Sequence, residues 1–495
     1  MGFDFDRETR RRLGYKLIDA INDYFSSLPE RAVQLPLEER SFGQLSDRMP
    51  DLPPQHAQER GVPGAPDLGE SAEHVLDDVC QELIDKGFHV PSANYFGLMN
   101  PTPTYMAVLA EALVAALNPQ LATLARSQLA SKIESESVRW IGERVGWKGA
   151  FDGTFTSGGN EANFSALALA LATHFPESVE EGVAAIGAKP MLYASAESHH
   201  SLDKSAGLLG LGRKALRRVA VNPRAQMDVA KLEEAVARDR ASGHRPFCVV
   251  ATAGTTNSGA IDDLEALAAL CRREKLWLHV DGAYGAAAIF SDQHRDLVRG
   301  LEQADSVTID PHKWLSMPFA AGVVLTSHPE SLQAAFAVAT PYMPRVAGAQ
   351  LVDNFKVSAQ WSRRMNSLKF WLTLRVHGRL AYEELIDRQL KLAESFAGWV
   401  RRSEDYELAM EPQLPILNFR VKGASEEEVA AANATVVDAV TRDGRQWISL
   451  TRVNGRSVIR MMVISYLTGE GQLKELESAL ARALEGVTTR TRARG

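Results

Sequence analysis

Ser306-Val307-Thr308-Ile309-Asp310-Pro311-His312-Lys313-Trp314-Leu315 reads as a short apolar strand cut off by a proline, with a lysine just beyond it. Pro311 has no N–H to give a sheet ladder and restricts the residue before it, so the strand should end here. A lysine past the end of a buried strand stands at the rim where open α/β sheets keep their ligands. A desolvated amine gives up its proton readily and can attack a carbonyl carbon. Taken alone, Lys313 is more simply a solvated surface lysine. What decides between the two readings lies upstream.

From residue 151 onward, β-rich runs alternate with helix-patterned segments. The runs fall at 154–156, 191–194, 216–221, 247–252, 276–280, 307–309 and 322–326. Seven strands with intervening helices predict an α/β fold: a mostly parallel seven-stranded sheet with helices on both faces. Before it, Leu13, Leu17, Ile18, Ile21, Tyr24 and Phe25 recur at helical spacing over 7–25, and five prolines make 49–66 linker-like. Helical pattern returns over 71–86, then as one long region over 105–147. After 369 it runs to about 402. A smaller α/β segment follows, with strands at 417–421 and 457–463 and helices at 426–442 and 471–484. The expected division is an N-terminal helical segment with its linker (1–100), a large domain that holds the sheet (101–370) and a small C-terminal domain (371–495).

Composition narrows the function. The 495 residues are 45% hydrophobic and 24% charged, with a net charge of −7. That balance suits a soluble protein and argues against a nucleic-acid or anionic-membrane partner. Cys80, Cys248 and Cys271 are odd in number and lack metal-like spacing, so neither a disulfide framework nor a metal site is indicated. The N-terminus is charged, without an apolar signal core, and no apolar run is long enough to span a bilayer. A cytoplasmic location is expected.

Four strand ends carry unusual residues. At Thr156-Ser157-Gly158-Gly159-Asn160-Glu161, a strand enters two glycines and an alanine-rich helix. Bare glycines and free helix N–H groups suit a phosphate, although a plain tight turn has the same look. At Ser198-His199-His200-Ser201, two histidines open a loop after a strand; the plainer reading is a capped helix start. At His279-Val280-Asp281-Gly282-Ala283, an acid closes an apolar strand. A buried carboxylate needs a partner, and a pyridinium N–H would be one. Ala283, two residues on, could lay its methyl against a flat ring. Capping of the next helix is the alternative for Asp281. The fourth strand end is Lys313. A phosphate cradle, a stacking histidine, an acid for a ring nitrogen and an aldehyde-capturing lysine are the four parts of a pyridoxal 5'-phosphate site.

With these motifs in hand, the chain resembles the group II pyridoxal-phosphate-dependent amino-acid decarboxylases, aromatic-L-amino-acid decarboxylase among them. The resemblance runs over roughly 75–480 and rests on Asp310-Pro311-His312-Lys313-Trp314-Leu315 and His279-Val280-Asp281-Gly282-Ala283-Tyr284-Gly285. It implies the type I fold of pyridoxal-phosphate enzymes and a homodimer with sites completed across the subunit interface. It also implies residue roles. Lys313 would hold the cofactor aldehyde and Asp281 the ring nitrogen. Ala283 and His199 would cover the two ring faces. Gly159 and Asn160 would hold phosphate, Thr252 would lie near the ring edge, and His312 would sit beside phosphate and substrate. Tyr95 and Phe96 match the family's substrate-pocket aromatics; from sequence alone they read equally as core packing.

Tyr342, 29 residues beyond Lys313, matches a loop tyrosine that protonates the substrate carbon after carbon dioxide leaves. One departure stands out: Asp310 occupies a position where the aromatic branch often has asparagine. An ionised carboxylate there would repel phosphate unless it pairs with a neighbour. The implied activity is decarboxylation of an L-amino acid, with an aromatic substrate expected. Acidic or aliphatic substrates (glutamate, aspartate, valine) are alternatives, and an acidic one would need a cation such as Arg345, Arg363 or Arg364. Aldehyde synthases on the same scaffold typically replace the loop tyrosine or the stacking histidine, and this chain keeps Tyr342 and His199. A homologue that binds the cofactor without catalysis is the reading from another class.

Overall fold

The computed structural model describes residues 5–39, 71–340 and 351–492. The proline-rich stretch 49–66, Tyr342 and Arg345 lie outside the described residues. All seven expected runs are strands: β1 (Asp152–Thr156), β2 (Pro190–Ser195), β3 (Leu216–Val219), β4 (Arg245–Thr252), β5 (Trp277–Asp281), β6 (Ser306–Ile309) and β7 (Gly322–Thr326). They form one sheet in the order β1-β7-β6-β5-β4-β2-β3. The pairings from β3 through β2, β4 and β5 to β6 are parallel, and β7 is antiparallel to both β6 and β1.

Burial explains why these runs are continuously apolar. Successive residues of a strand face opposite sides of a sheet. In β4, Val249 and Ala251 pack into one core while Cys248 and Val250 pack into another. Helices Leu124–Val145, Val229–Ala241 and Leu264–Glu274 cover the first face; Gly159–His174, Ser201–Leu208 and Pro329–Phe336 cover the second. Cys248 and Cys271 are buried core thiols, and burial pushes both well above the usual thiol range.

Two expectations needed correction. The region 105–147 is two helices, Tyr105–Leu117 and Leu124–Val145, not one. Asn118 closes the first in the left-handed region (φ 45°), and Pro119 cannot continue it. The C-terminal segment also holds more strands than expected. β8 (Tyr406–Leu408), β9 (Ile416–Val421), β10 (Ser449–Val453) and β11 (Arg456–Met462) form an antiparallel sheet in the order β10-β11-β9-β8.

The chain divides into two compact units. One comprises Gly97–Asn433 and Ser449–Tyr466 and contains both sheets. The other comprises Met1–Phe96, Ala434–Ile448 and Leu467–Gly495. In this second unit, helix Arg7–Ser27 starts at Asp6, whose carboxylate accepts the Thr9 N–H, and helix Ala72–Lys86 starts at Ser71. Lys16–Asp77 (2.6 Å) joins the two helices by an exposed ion pair.

Candidate active site

Because β4, β5 and β6 are parallel and in register, Thr252, Asp281 and Thr308 stand side by side at one sheet edge. β1 ends at the same edge, since Thr156 pairs with Gly322 at the start of the antiparallel β7. The four sequence motifs therefore follow strands that end on a common rim, the place where open α/β sheets bind ligands.

Gly158 and Gly159 lie where β1 passes into helix Gly159–His174. Gly158 holds φ at +147°, a conformation few other residues adopt, and a Cβ there would stand 3.2 Å from His312 Cε1. A Cβ on Gly159 would come within 2.6 Å of Asp310 Oδ2 and 3.3 Å of the Ala283 methyl. The glycine turn thus converges with Asp310, His312 and Ala283. Asn160, on the first turn of the helix, is exposed.

Lys313 Nζ lies 3.2 Å from Asp310 Oδ2. That pairing answers the question the aspartate raised: its neighbour is the lysine of its own motif. The Asp310 side chain is 1% exposed, and its other oxygen, Oδ1, has no hydrogen-bond partner. His312 Nδ1 donates to Ala321 O at 2.7 Å, and burial holds the ring below the usual histidine range. His199 Nδ1 accepts the Ser201 N–H at 3.1 Å, which leaves Nε2 as its protonated nitrogen. Burial lowers its pKa, with the charge of nearby Asp281 opposing and that of Lys313 adding to the effect.

Asp281 is 6% exposed. Its Oδ1 accepts the Ala283 N–H (3.2 Å) and its Oδ2 accepts Asn163 Nδ2 (2.8 Å). Among the described residues no cation lies at ion-pair distance from it. A buried carboxylate with only neutral donors has room for a cationic N–H, and Thr252 Oγ1 beside it is buried without a partner. The unmatched carboxylate, the orphaned hydroxyl, the glycine cradle and the lysine fit pyridoxal phosphate.

Tyr95 and Phe96 belong to the second unit, where both are buried. Tyr95 stacks on Trp447 (5.4 Å between ring centroids) and Phe96 N–H donates to Trp447 O. Arg363 is buried against Glu134 (2.7 Å), and Arg364 pairs with Glu111 (2.5 Å). Sequence reasoning passed over Asn163. It sits one turn into an alanine-rich helix, and only the pairing of that helix with β5 gives it a role.

The chain is similar to known proteins over most of its length. The family model "Pyridoxal-dependent decarboxylase conserved domain" matches residues 54–422. An aromatic-L-amino-acid decarboxylase of Bacillus atrophaeus is 29% identical over 486 residues, covering 97% of this chain and 96% of that protein. The acidic amino acid decarboxylase GADL1 of Homo sapiens is 32% identical over 356 residues, covering 71% of this chain and 68% of that protein. The crystal structure of Oryza sativa TDC with PLP and tryptamine superposes with a TM-score of 0.88 at 23% identity, over 98% of this chain and all of that one.

Proposed function

The chain belongs to the pyridoxal-dependent decarboxylase family, and from that membership we propose that it converts an aromatic L-amino acid to its amine and carbon dioxide. It is a pyridoxal-phosphate-dependent carboxy-lyase with the type I fold. When bound, the cofactor supplies an electron sink for the pair released as the Cα–carboxylate bond breaks. The observation that carries our assignment of roles is the buried, cation-free carboxylate of Asp281 on the strand next to the one leading to Lys313.

In this reading Lys313 holds the cofactor's aldehyde carbon and Asp281 its ring nitrogen. Ala283 and His199 flank the ring, Thr252 lies at its edge, and Gly159 and Asn160 hold the phosphate with His312 beside them. Tyr342 gives Cα the proton that replaces the departing carboxylate. The aromatic preference is supported by likeness to the Bacillus atrophaeus enzyme over nearly the whole chain. It is supported also by the buried pairing of Arg363 with Glu134, which takes up one cation that an acidic side chain would need. The likeness to an acidic amino acid decarboxylase keeps glutamate and aspartate as the second reading.

We also propose a cytoplasmic homodimer. Leu113 and Leu117 on helix Tyr105–Leu117, and Val376 and Leu380 on either side of the kink at Gly378 in Ser367–Arg402, are exposed, and large apolar side chains left exposed in this way favour burial in an assembly. Among the described residues, no helix is long and apolar enough to cross a membrane.

The test is a panel of amino acids scored by mass spectrometry for amine, aldehyde and carbon dioxide, run beside borohydride reduction and peptide mapping. Amine from tyrosine, tryptophan, phenylalanine or dihydroxyphenylalanine, with the cofactor fixed on Lys313, is the expected result. Amine from acidic substrates alone would overturn the aromatic assignment. Aldehyde as the main product would make it a synthase, and absence of carbon dioxide would leave a binding protein.

A further inference from the structure

Behind Asp281 runs a chain of buried hydrogen bonds whose direction is set by the carboxylate, which only accepts and so turns the Asn163 amide. Trp277 Nε1–H, a group that only donates, gives its proton to Ser306 Oγ at 2.8 Å. The Ser306 hydroxyl then gives its own proton to His279 Nδ1 at 2.9 Å. His279 Nε2–H donates to Asn163 Oδ1 at 3.0 Å. Asn163 Nδ2 carries two protons and uses both, one toward Asp281 Oδ2 (2.8 Å) and one toward Ser201 Oγ (3.1 Å). The other histidine tautomer would donate from Nδ1 to Ser306 O (3.2 Å) and could accept the Thr308 hydroxyl at Nε2 (3.4 Å), but it would set two acceptors, Nε2 and Asn163 Oδ1, against each other at 3.0 Å. Turning the Asn163 amide over would set its oxygen against the Asp281 carboxylate. The first arrangement is the one that gives Asn163 Oδ1 a donor and Asp281 an N–H.

Topology makes this chain possible. Trp277, His279 and Asp281 alternate along β5 and so share one face, the face that helix Gly159–His174 covers. Asn163 and His279 are buried to 1% exposure or less, out of reach of solvent and of substrate. A neutral core asparagine of this kind needs partners; it does not need a carboxylate as one of them.

We propose that Asn163, oriented by His279, is the positioning residue that aims Asp281 at the cofactor's ring nitrogen and, through Ser201, steadies His199 on the ring face. Its N–H fixes one carboxylate oxygen from the helix side while the Ala283 N–H fixes the other. The remaining lone pairs are left for the ring. Ser201, which takes Asn163's second proton, donates its backbone N–H to His199 Nδ1. One side-chain amide therefore braces two of the cofactor's partners. Linked polar groups in a low-dielectric interior reinforce one another, so the brace depends on His279 as well as on Asn163. The inference rests on the assignment of Asp281 to the ring nitrogen.

The experiment measures cofactor binding rather than turnover. Dissociation constants are read from tryptophan fluorescence for pyridoxal phosphate and for its analogue with carbon in place of the ring nitrogen. The proteins are the wild-type full chain, Asp281→Ala, Asn163→Leu, His279→Leu and His279→Gln. Asn163→Leu should weaken pyridoxal phosphate about tenfold, the size expected for one hydrogen bond to a charged group, and leave the analogue within about twofold. His279→Leu should move the same way. His279→Gln, whose amide can replace the Nε2–H donor, should restore most of the loss. Equal weakening of both ligands by Asn163→Leu would reduce the residue to a packing role and overturn the proposal. If Asp281→Ala also failed to separate the two ligands, the assignment of Asp281 itself would fall, a different result from failure of Asn163 alone.

Discussion

Asp310 carries the sharpest question at the scale of a single residue. Its carboxylate touches the lysine that takes up the cofactor and faces the glycine turn assigned to the phosphate. Unit charges of one sign 4 Å apart repel by about 1 kcal/mol even at the dielectric of water. Asp310→Asn should therefore tighten pyridoxal phosphate by about fivefold in equilibrium dialysis, and leave pyridoxal, which lacks the phosphate, unaffected. Equal tightening of both would place the effect on Lys313 instead. Asp281, Lys313 and the glycine turn were legible in the sequence because each sits where an apolar run stops, so position along the chain already implied position at a sheet edge. Asn163 and His279 were not. One looks like an ordinary polar residue in a helix and the other like part of a strand, and their partners lie 118 and 116 residues away from Asn163.

At the scale of elements, the large sheet was readable because strands buried on both faces are apolar throughout. The C-terminal sheet was harder. β10 alternates half-exposed with exposed residues until Val453 and carries little apolar signal. Its turn, Asn454-Gly455, is nonetheless a strong hairpin signature, with φ of 50° and 76° as a two-residue turn of that type requires. Gly444 marks another such point, in the second unit. It holds φ at +75°, its carbonyl accepts the Val33 and Gln34 N–H groups, and an added Cβ would run into the carbonyl oxygens of Gln34 and Leu35. Gly444→Ala should destabilise this unit by roughly 1–2 kcal/mol from the left-handed backbone alone, with the steric conflict adding to that. Hydrogen exchange at Val33 and Gln34 is the readout: their amides should lose protection in the variant, and unchanged protection would show that the turn relaxes freely.

For the whole molecule, the residues that organise the site also shape stability against pH. Burial pushes His279 down from 6.5 to about 4. Above pH 6.5 the ring is neutral whether the chain is folded or not, and its contribution to stability is complete. Between 6.5 and about 4 the unfolded chain takes a proton that the folded one refuses, so stability falls as the pH falls, by about 3 kcal/mol over the interval. Asp262 acts in the opposite sense. Its buried carboxyl is raised from 3.8 to about 6, which favours the folded state at low pH and is lost as the pH rises through that range. The two slopes oppose each other between about 4 and 6, so the wild-type curve should be flatter than either group alone would make it. His279→Gln removes one of them while keeping a donor for Asn163. Urea midpoints of the cofactor-free proteins at pH 7 and pH 4 should then show the variant gaining about 3 kcal/mol on the wild type as the pH drops. Parallel curves would mean that His279 takes up a proton in the folded chain as readily as in the unfolded one; Nδ1–H would then donate to Ser306, while the Nε2–H bond to Asn163 would keep its direction.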